Sequence, residues 1–313
     1  MGISNLFGFN KQFHKGLYQK KVKDESGFEN KIHLRVDEDG TGVLWVNANQ
    51  TFYLNQSAAL MTWCLINDFT DEEDRRLLKK YYPDQYEQVT KDFDAFSPAL
   101  KKMLRGENNV CDLCQSGIDS DMPFSANPSA PYRMDLALTY RCNNNCSHCY
   151  NDKSRQVKEL PSKSWQKILE KIAQEGIPHV VFTGGEPTLY PDLIDLAEYA
   201  ENLGLVTGLN TNGRKLKDVE LMASLVRSKL DHIQITIESD QESIHDAMVQ
   251  VPGAWKETVA GIQNAVKSGI FTMINTTLLQ SNGTEENIRQ LINFLAELGV
   301  QTVGLNALIY SGE

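Results

Sequence analysis

Cysteine is scarce in this chain, six residues in 313, which excludes a disulfide-stapled secreted scaffold. Long apolar runs are missing as well. No stretch approaches the roughly 20 residues needed to span a bilayer, and the polar start MGISNLFGFNKQFHKG lacks the apolar core of a signal peptide. No membrane partner is expected, and a cytoplasmic location is. Positive charge is in deficit, with 31 Lys+Arg against 41 Asp+Glu and a formal net charge of -10. That balance repels a phosphate backbone, so nucleic acid is not an expected partner. What is present is an ordinary globular composition, in a chain about twice the roughly 150 residues of a typical domain.

From residue 133 onward, short β-rich runs alternate with amphipathic helical patterns. Strands are predicted at 134–139, 180–182, 205–209, 233–237, 271–277 and 302–305. Between them apolar residues recur at helical spacing, as in Trp165, Ile168, Leu169 and Ile172, or Ile288, Leu291, Ile292 and Leu295. Gly204, Gly269 and Gly299 stand where helices should stop. Six βα repeats imply an α/β fold with parallel strands and right-handed crossovers. A partial barrel and an open doubly wound sheet both satisfy the pattern, and in both ligands gather at the carboxyl ends of the strands.

Ahead of residue 105 the pattern changes. Residues 42–46 and 51–54 flank the turn Asn47-Ala48-Asn49-Gln50 and read as a β-hairpin, with helical stretches near 56–67, 71–80 and 84–95. This is a small α+β unit over 31–105. Residues 1–30 carry no assignable pattern, and 106–132, with Gly117, Pro123, Pro128 and Pro131, read as a linker.

Three of the six cysteines sit inside eight residues, Cys142-Asn-Asn-Asn-Cys146-Ser-His-Cys149, in the loop after the first predicted barrel strand. Such crowding in a reducing compartment reads as metal ligation. Three thiolates on one loop can take three corners of an iron–sulfur cubane and leave its fourth iron open, whereas a structural zinc site wants four protein ligands. Zinc with His148 as the fourth ligand, and free thiols in a loop, are the competing readings.

Cys-x3-Cys-x2-Cys in this position resembles the radical S-adenosylmethionine (SAM) superfamily. The resemblance covers about 133–307 and implies a partial (β/α)6 barrel with a [4Fe-4S] cluster on Cys142, Cys146 and Cys149. SAM would bind the unique iron and be cleaved reductively to a 5′-deoxyadenosyl radical, with the electron coming from a donor such as flavodoxin or ferredoxin. Thr183-Gly184-Gly185-Glu186-Pro187, after the second strand, is similar to the family's GGEP motif. Its glycines permit close backbone approach to a ligand, and Glu186 can accept a hydrogen bond from an ammonium group. Asn210-Thr211-Asn212-Gly213 is similar to the family's TNG segment. Where the family commonly has Ser-x-Asp-Gly and then His-Asp, this chain has Thr236-Ile237-Glu238-Ser239 and His245-Asp246, followed by Pro252-Gly253-Ala254-Trp255. The cofactor-binding candidates implied are Tyr150, Gly184, Gly185, Glu186, Pro187, Asn210, Asn212, Thr236, Glu238 and Asn275. Tyr150 is placed either beside the adenine or in the core. No catalytic side chain beyond the cluster is singled out.

The hairpin ending in Tyr53-Leu54-Asn55, with Ala58-Ala59 and Trp63 following, resembles the PqqD-like precursor-recognition domain, a winged-helix-like fold. That family adds a leader peptide as a strand beside its hairpin. A precursor peptide is thus the implied partner and a modified ribosomal peptide the implied product. The competing readings are a radical SAM enzyme for a small molecule or a folded protein, and a non-catalytic, zinc-stabilised peptide-binding adaptor. Cys111 and Cys114 in the linker are a candidate second metal site, a redox pair or reduced thiols. Cys64 reads as a buried core residue. The chain stops at Glu313, just beyond the sixth strand, so it is either naturally short or without a C-terminal extension that could carry further clusters.

Overall fold

The computed structural model describes residues 12–23, 29–47, 50–104, 129–151 and 157–307. The chain divides into two compact units, with the main boundary between Pro131 and Tyr132.

The first unit carries an antiparallel sheet in the order β1 (Gly16–Lys23), β2 (Glu29–Val36), β3 (Gly42–Val46) and β4 (Gln50–Leu54). The expected hairpin is β3 and β4, paired from Gly42↔Leu54 to Val46↔Gln50. The sequence pattern missed β1 and the whole of β2. In β1 the alternation is masked by Lys20, Lys21 and Lys23: Lys20 is half-buried with its ammonium paired to Asp68, while Lys21 and Lys23 are exposed. Helices α1 (Gln56–Ile66), α2 (Asp71–Tyr81) and α3 (Tyr86–Leu104) follow. Asn55 caps α1 by accepting from the Ala58 amide, and Thr70 and Glu73 form a reciprocal capping box on α2. Helix α3 runs on past its expected end and through Pro98, because Phe93, Phe96 and Leu100 keep its inner face buried. Ile32, Leu34 and Leu44 from the sheet meet Leu60, Trp63, Cys64 and Leu78 in one apolar core. Burial of Cys64 agrees with its sequence reading.

The second unit holds six strands, β5 (Arg133–Thr139), β6 (His179–Gly184), β7 (Val206–Thr211), β8 (His232–Thr236), β9 (Phe271–Leu278) and β10 (Thr302–Ala307). They lie in strictly sequential order and every pairing is parallel. That order decides between the two expected architectures. A doubly wound sheet reverses direction at a switch point, whereas sequential right-handed crossovers keep the helices on one face and curl the sheet. The result is a partial α/β barrel. Its helices are α4 (Ser162–Gln174), α5 (Leu193–Asn202), α6 (Val219–Arg227), α7 (Glu242–Val249), α8 (Ala254–Ser268) and α9 (Glu285–Glu297). The eight-residue α7 is too short to show in apolar spacing. It is fixed instead by Asp246, whose carboxylate accepts from the Gly253 and Trp255 amides and so sets the α7–α8 turn.

Candidate active site

At the carboxyl ends of the strands lies a cavity of about 260 Å³. Cys142, Cys146 and Cys149 line it, as do Tyr150, Gly184, Gly185, Asn210, Asn212, Thr236, Glu238 and Asn275. All eleven come from strand residues or from the loops that follow the strands. Strand periodicity also recovers residues that motif reading overlooked: Gln234 precedes Thr236 by two, Thr277 follows Asn275 by two, and both line the cavity. Asn306 on β10 joins them and donates its amide to Asn275 at 2.8 Å.

The cysteine loop is held by backbone. Asn145 and Ser147 donate their amides to Val249 and Met248 carbonyls at 2.9 and 3.0 Å, occupying acceptors that the end of α7 leaves free. Cys142 is exposed, and Cys146 and Cys149 are half-buried. Burial pushes the Cys146 thiol up to about 12, with Cys142 and Glu238 adding to the shift. Thiols so placed give up protons when a metal binds, which couples loading to pH.

The glycine pair serves this loop directly. A Cβ on Gly184 would lie 2.2 Å from the Thr139 carbonyl oxygen, and one on Gly185 would lie 2.4 Å from that of Arg141. The Gly185 and Glu186 amides donate to Thr139 and Arg141 at 2.7 and 2.8 Å. Besides lining the cavity, the two glycines let β6 approach the root of the cysteine loop closely.

Glu186 and Pro187 do not line the cavity. The Glu186 carboxylate is fully buried and accepts from the Thr188 amide and hydroxyl, the Thr211 hydroxyl and the Asn212 amide. Burial pushes its carboxyl up, and these donors pull it back. Its oxygens face the protein, so the sequence expectation of an ammonium acceptor gives way to a brace beneath Asn212. Asn212 in turn donates to Asn143 at 2.7 Å and points its amide at Cys142 Sγ from 3.9 Å.

Glu238 faces the cavity yet is itself engaged. One oxygen meets His148 Nε2 at 2.9 Å and the other accepts from the Thr277 amide at 2.9 Å. His148, which also lines the cavity, is thus paired with a carboxylate. Tyr150 is 56% exposed, which removes the core placement. Cys111 and Cys114 lie outside the described residues. Among the described residues, no three His, Cys, Asp or Glu side chains gather as a single metal ion would require. A cubane asks for something different, since each thiolate takes a separate iron, and the donor set fits that demand.

The Radical SAM superfamily pattern matches residues 136–306. The chain belongs to the radical SAM superfamily. Radical SAM enzymes bind an iron–sulfur cluster and SAM, which sets aside the non-catalytic adaptor. A PqqA peptide cyclase of Gluconobacter oxydans (strain 621H) is 33% identical over 187 residues, covering 59% of this chain and 51% of that relative. An AdoMet-dependent heme synthase of Methanosarcina barkeri (strain Fusaro / DSM 804) is 30% identical over 186 residues, covering 59% of this chain and 52% of that relative. The chain thus spans about half the length of these curated relatives. In fold it is similar to Streptococcus suis SuiB. The crystal structure bound to precursor peptide SuiA has a TM-score of 0.64 at 17% identity, covering 93% of this chain and 63% of SuiB. The one bound to S-adenosylmethionine has a TM-score of 0.63 at 18% identity, covering 92% of this chain and 64% of SuiB. No helix among the described residues is long and apolar enough to cross a membrane.

Proposed function

We propose that this radical SAM protein modifies a ribosomally made precursor peptide. Cys142, Cys146 and Cys149 hold a [4Fe-4S] cluster whose remaining iron receives SAM. Gly184, Gly185, Asn210, Asn212, Thr236, Glu238 and Asn275 wall the SAM pocket, Tyr150 covers its rim, and Glu186 braces it from below. When bound, cluster and SAM supply the radical that removes a substrate hydrogen. The chain's own residues hold the loop, orient the substrate and exclude water. The observation that carries this reading is a trio of thiols on the same cavity as the Gly184-Gly185 turn.

The region 31–105 acts in this reading as a PqqD-like recognition domain and 133–313 as the catalytic barrel. The likeness to SuiB supports a role for the first unit, since it extends over more of the chain than the family match does. The outer strand of the predicted hairpin, β4, is an edge of the antiparallel sheet and offers backbone groups to an added strand. The protein works in the cytoplasm, with a flavodoxin or ferredoxin as electron donor. The similarity to a heme synthase keeps one second reading in play, the same chemistry on a small molecule.

The test joins chemistry to binding. Anaerobically reconstituted protein, given SAM and a reductant, should release 5′-deoxyadenosine, and Cys142→Ala, Cys146→Ala and Cys149→Ala should each abolish it. A fluorescent precursor peptide from the neighbouring reading frames should bind the full chain, and N-methylating alternate amides of its leader should abolish binding. Product formation by any of the three cysteine variants would sink the cluster assignment. Equal binding of the methylated leader would sink strand addition.

A further inference from the structure

Between the cysteine loop and α8 stands one side chain that no motif singles out. Arg214 opens the 3-10 turn Arg214–Lys217 after β7. Its Nη1 donates both to the Asn143 carbonyl and, at 3.0 Å, to Asn144 Oδ1. Its Nε donates to Glu257 Oε2 on α8 at 2.6 Å. The Arg214 side chain is 14% exposed. Arg214 does not line the cavity, so it touches neither reacting atoms nor the space they occupy. Asn143 and Asn144 are the two residues directly after Cys142, the exposed member of the trio. The Asn144 amide also donates to Cys142 Sγ at 3.4 Å.

Resting on the cluster assignment above, we propose that Arg214, anchored by Glu257, is a positioning residue that fixes Cys142 and so sets the retention and the reduction potential of the cluster. The physical reason is the shape of guanidinium. One nitrogen grips a backbone carbonyl and a side-chain oxygen of the same loop, while another is held in a charge-assisted bond to a carboxylate on a rigid helix. An ammonium group is a point donor on a flexible stem and cannot span both partners at once. Hydrogen bonding around the thiolate sulfurs is one of the levers that set iron–sulfur potentials. Releasing the Asn143–Asn144 segment alters the Asn144 amide that bonds to Cys142, as well as the amide of Asn212.

Glu257 supplies an internal control. It also accepts from Lys217, which does not touch the loop. Lys217→Gln removes a charge from the same carboxylate but leaves the grip of Arg214 intact.

The experiment uses the full chain, reconstituted anaerobically with iron and sulfide, in wild type, Arg214→Lys, Arg214→Gln, Glu257→Gln and Lys217→Gln. Iron loss to a chelator is timed, and the cluster potential and its electron paramagnetic resonance spectrum are recorded without substrate. Thermal melting of the metal-free proteins reports the fold. Both Arg214 variants should lose iron at least fivefold faster than wild type, with a shifted potential and an altered spectrum. Glu257→Gln should fall between, and Lys217→Gln should match wild type. Arg214→Lys keeps the charge and tests geometry alone, and Glu257→Gln serves if an Arg214 variant fails to fold. Wild-type retention and potential in Arg214→Lys, or an equal defect in Lys217→Gln, overturns the proposal. Failure of wild type itself to take up a cluster overturns the function proposed above instead.

Discussion

Replacing Gly185 with alanine separates crowding from backbone strain. Gly185 has no left-handed φ to protect, yet an added Cβ would sit 2.4 Å from the Arg141 oxygen and 2.7 Å from that of Tyr140. Carbon and oxygen settle at about 3.3–3.6 Å even in close C–H···O contacts, so the end of β6 and the root of the cysteine loop must part by roughly an ångström. That movement stretches the amide bonds of Gly185 and Glu186 to Thr139 and Arg141, each worth about 1 kcal/mol net. With about half of that lost and the overpacking itself at about 1–3 kcal/mol, the expected loss is about 2–4 kcal/mol. For a domain of this size, that is a fall of about 5–15 °C in melting temperature. Gly253 is the control. It lies at φ 79° with nothing within 4 Å of its built Cβ, so alanine there costs only the left-handed strain of about 1–2 kcal/mol. Thermal melts of the metal-free chain, with iron bound per chain after reconstitution, measure both. Should Gly185→Ala melt as high as Gly253→Ala and load as much iron, the account of the glycine pair is wrong.

Two further predictions concern pH. Burial pushes the Asp74 carboxyl up to about 6. The folded chain therefore keeps its proton from about pH 4 to 6 while the unfolded chain has lost it, and stability falls as pH rises through that window. Asp74→Asn should raise the melting temperature of the first unit at pH 8, by about 1–2 kcal/mol in stability, and should flatten its pH profile between 4 and 6; an unchanged profile would refute the assignment. At the other end of the scale, desolvation pushes His232, which meets His179 Nε2 to Nε2 at 2.8 Å, down to about 4. Protonation then favours the unfolded chain first, so barrel stability drops as pH falls from about 6.5 to 4, by about 2–3 kcal/mol at the low end. His232→Gln should remove most of that slope in pH-resolved melts, and retention of the slope would point to other groups.

The barrel strands were legible because they are short runs with apolar residues set between helical patterns, up to the last, β10, which is half-buried or exposed along its length. β1 was not, because its lysines hide a half-buried alternation. At the site, spacing along the chain revealed the cysteines and the glycine pair but not what each glycine approaches. Gly185 meets Arg141 across 44 positions of sequence, and nothing local to either announces the other. Glu186 carried the sharpest local expectation and departed from it, because Thr188, Thr211 and Asn212 converge on it only after β6 and β7 lie side by side. Arg214 and Glu257, 43 residues apart, are similarly invisible without the fold.

The dependence of the cysteine loop on the end of α7 has a consequence for biosynthesis. Asn145 reaches Gln250, 105 positions later, by its side chain, and Val249 by its backbone. A nascent chain that has emerged only as far as the three thiols has nothing to hold them. At about 5–20 residues per second of translation, they wait roughly 5–20 s for their scaffold, open to oxygen and to adventitious ions. Cofactor insertion thus belongs after synthesis of the eighth strand and its helix, and premature capture of metal is a hazard written into the topology.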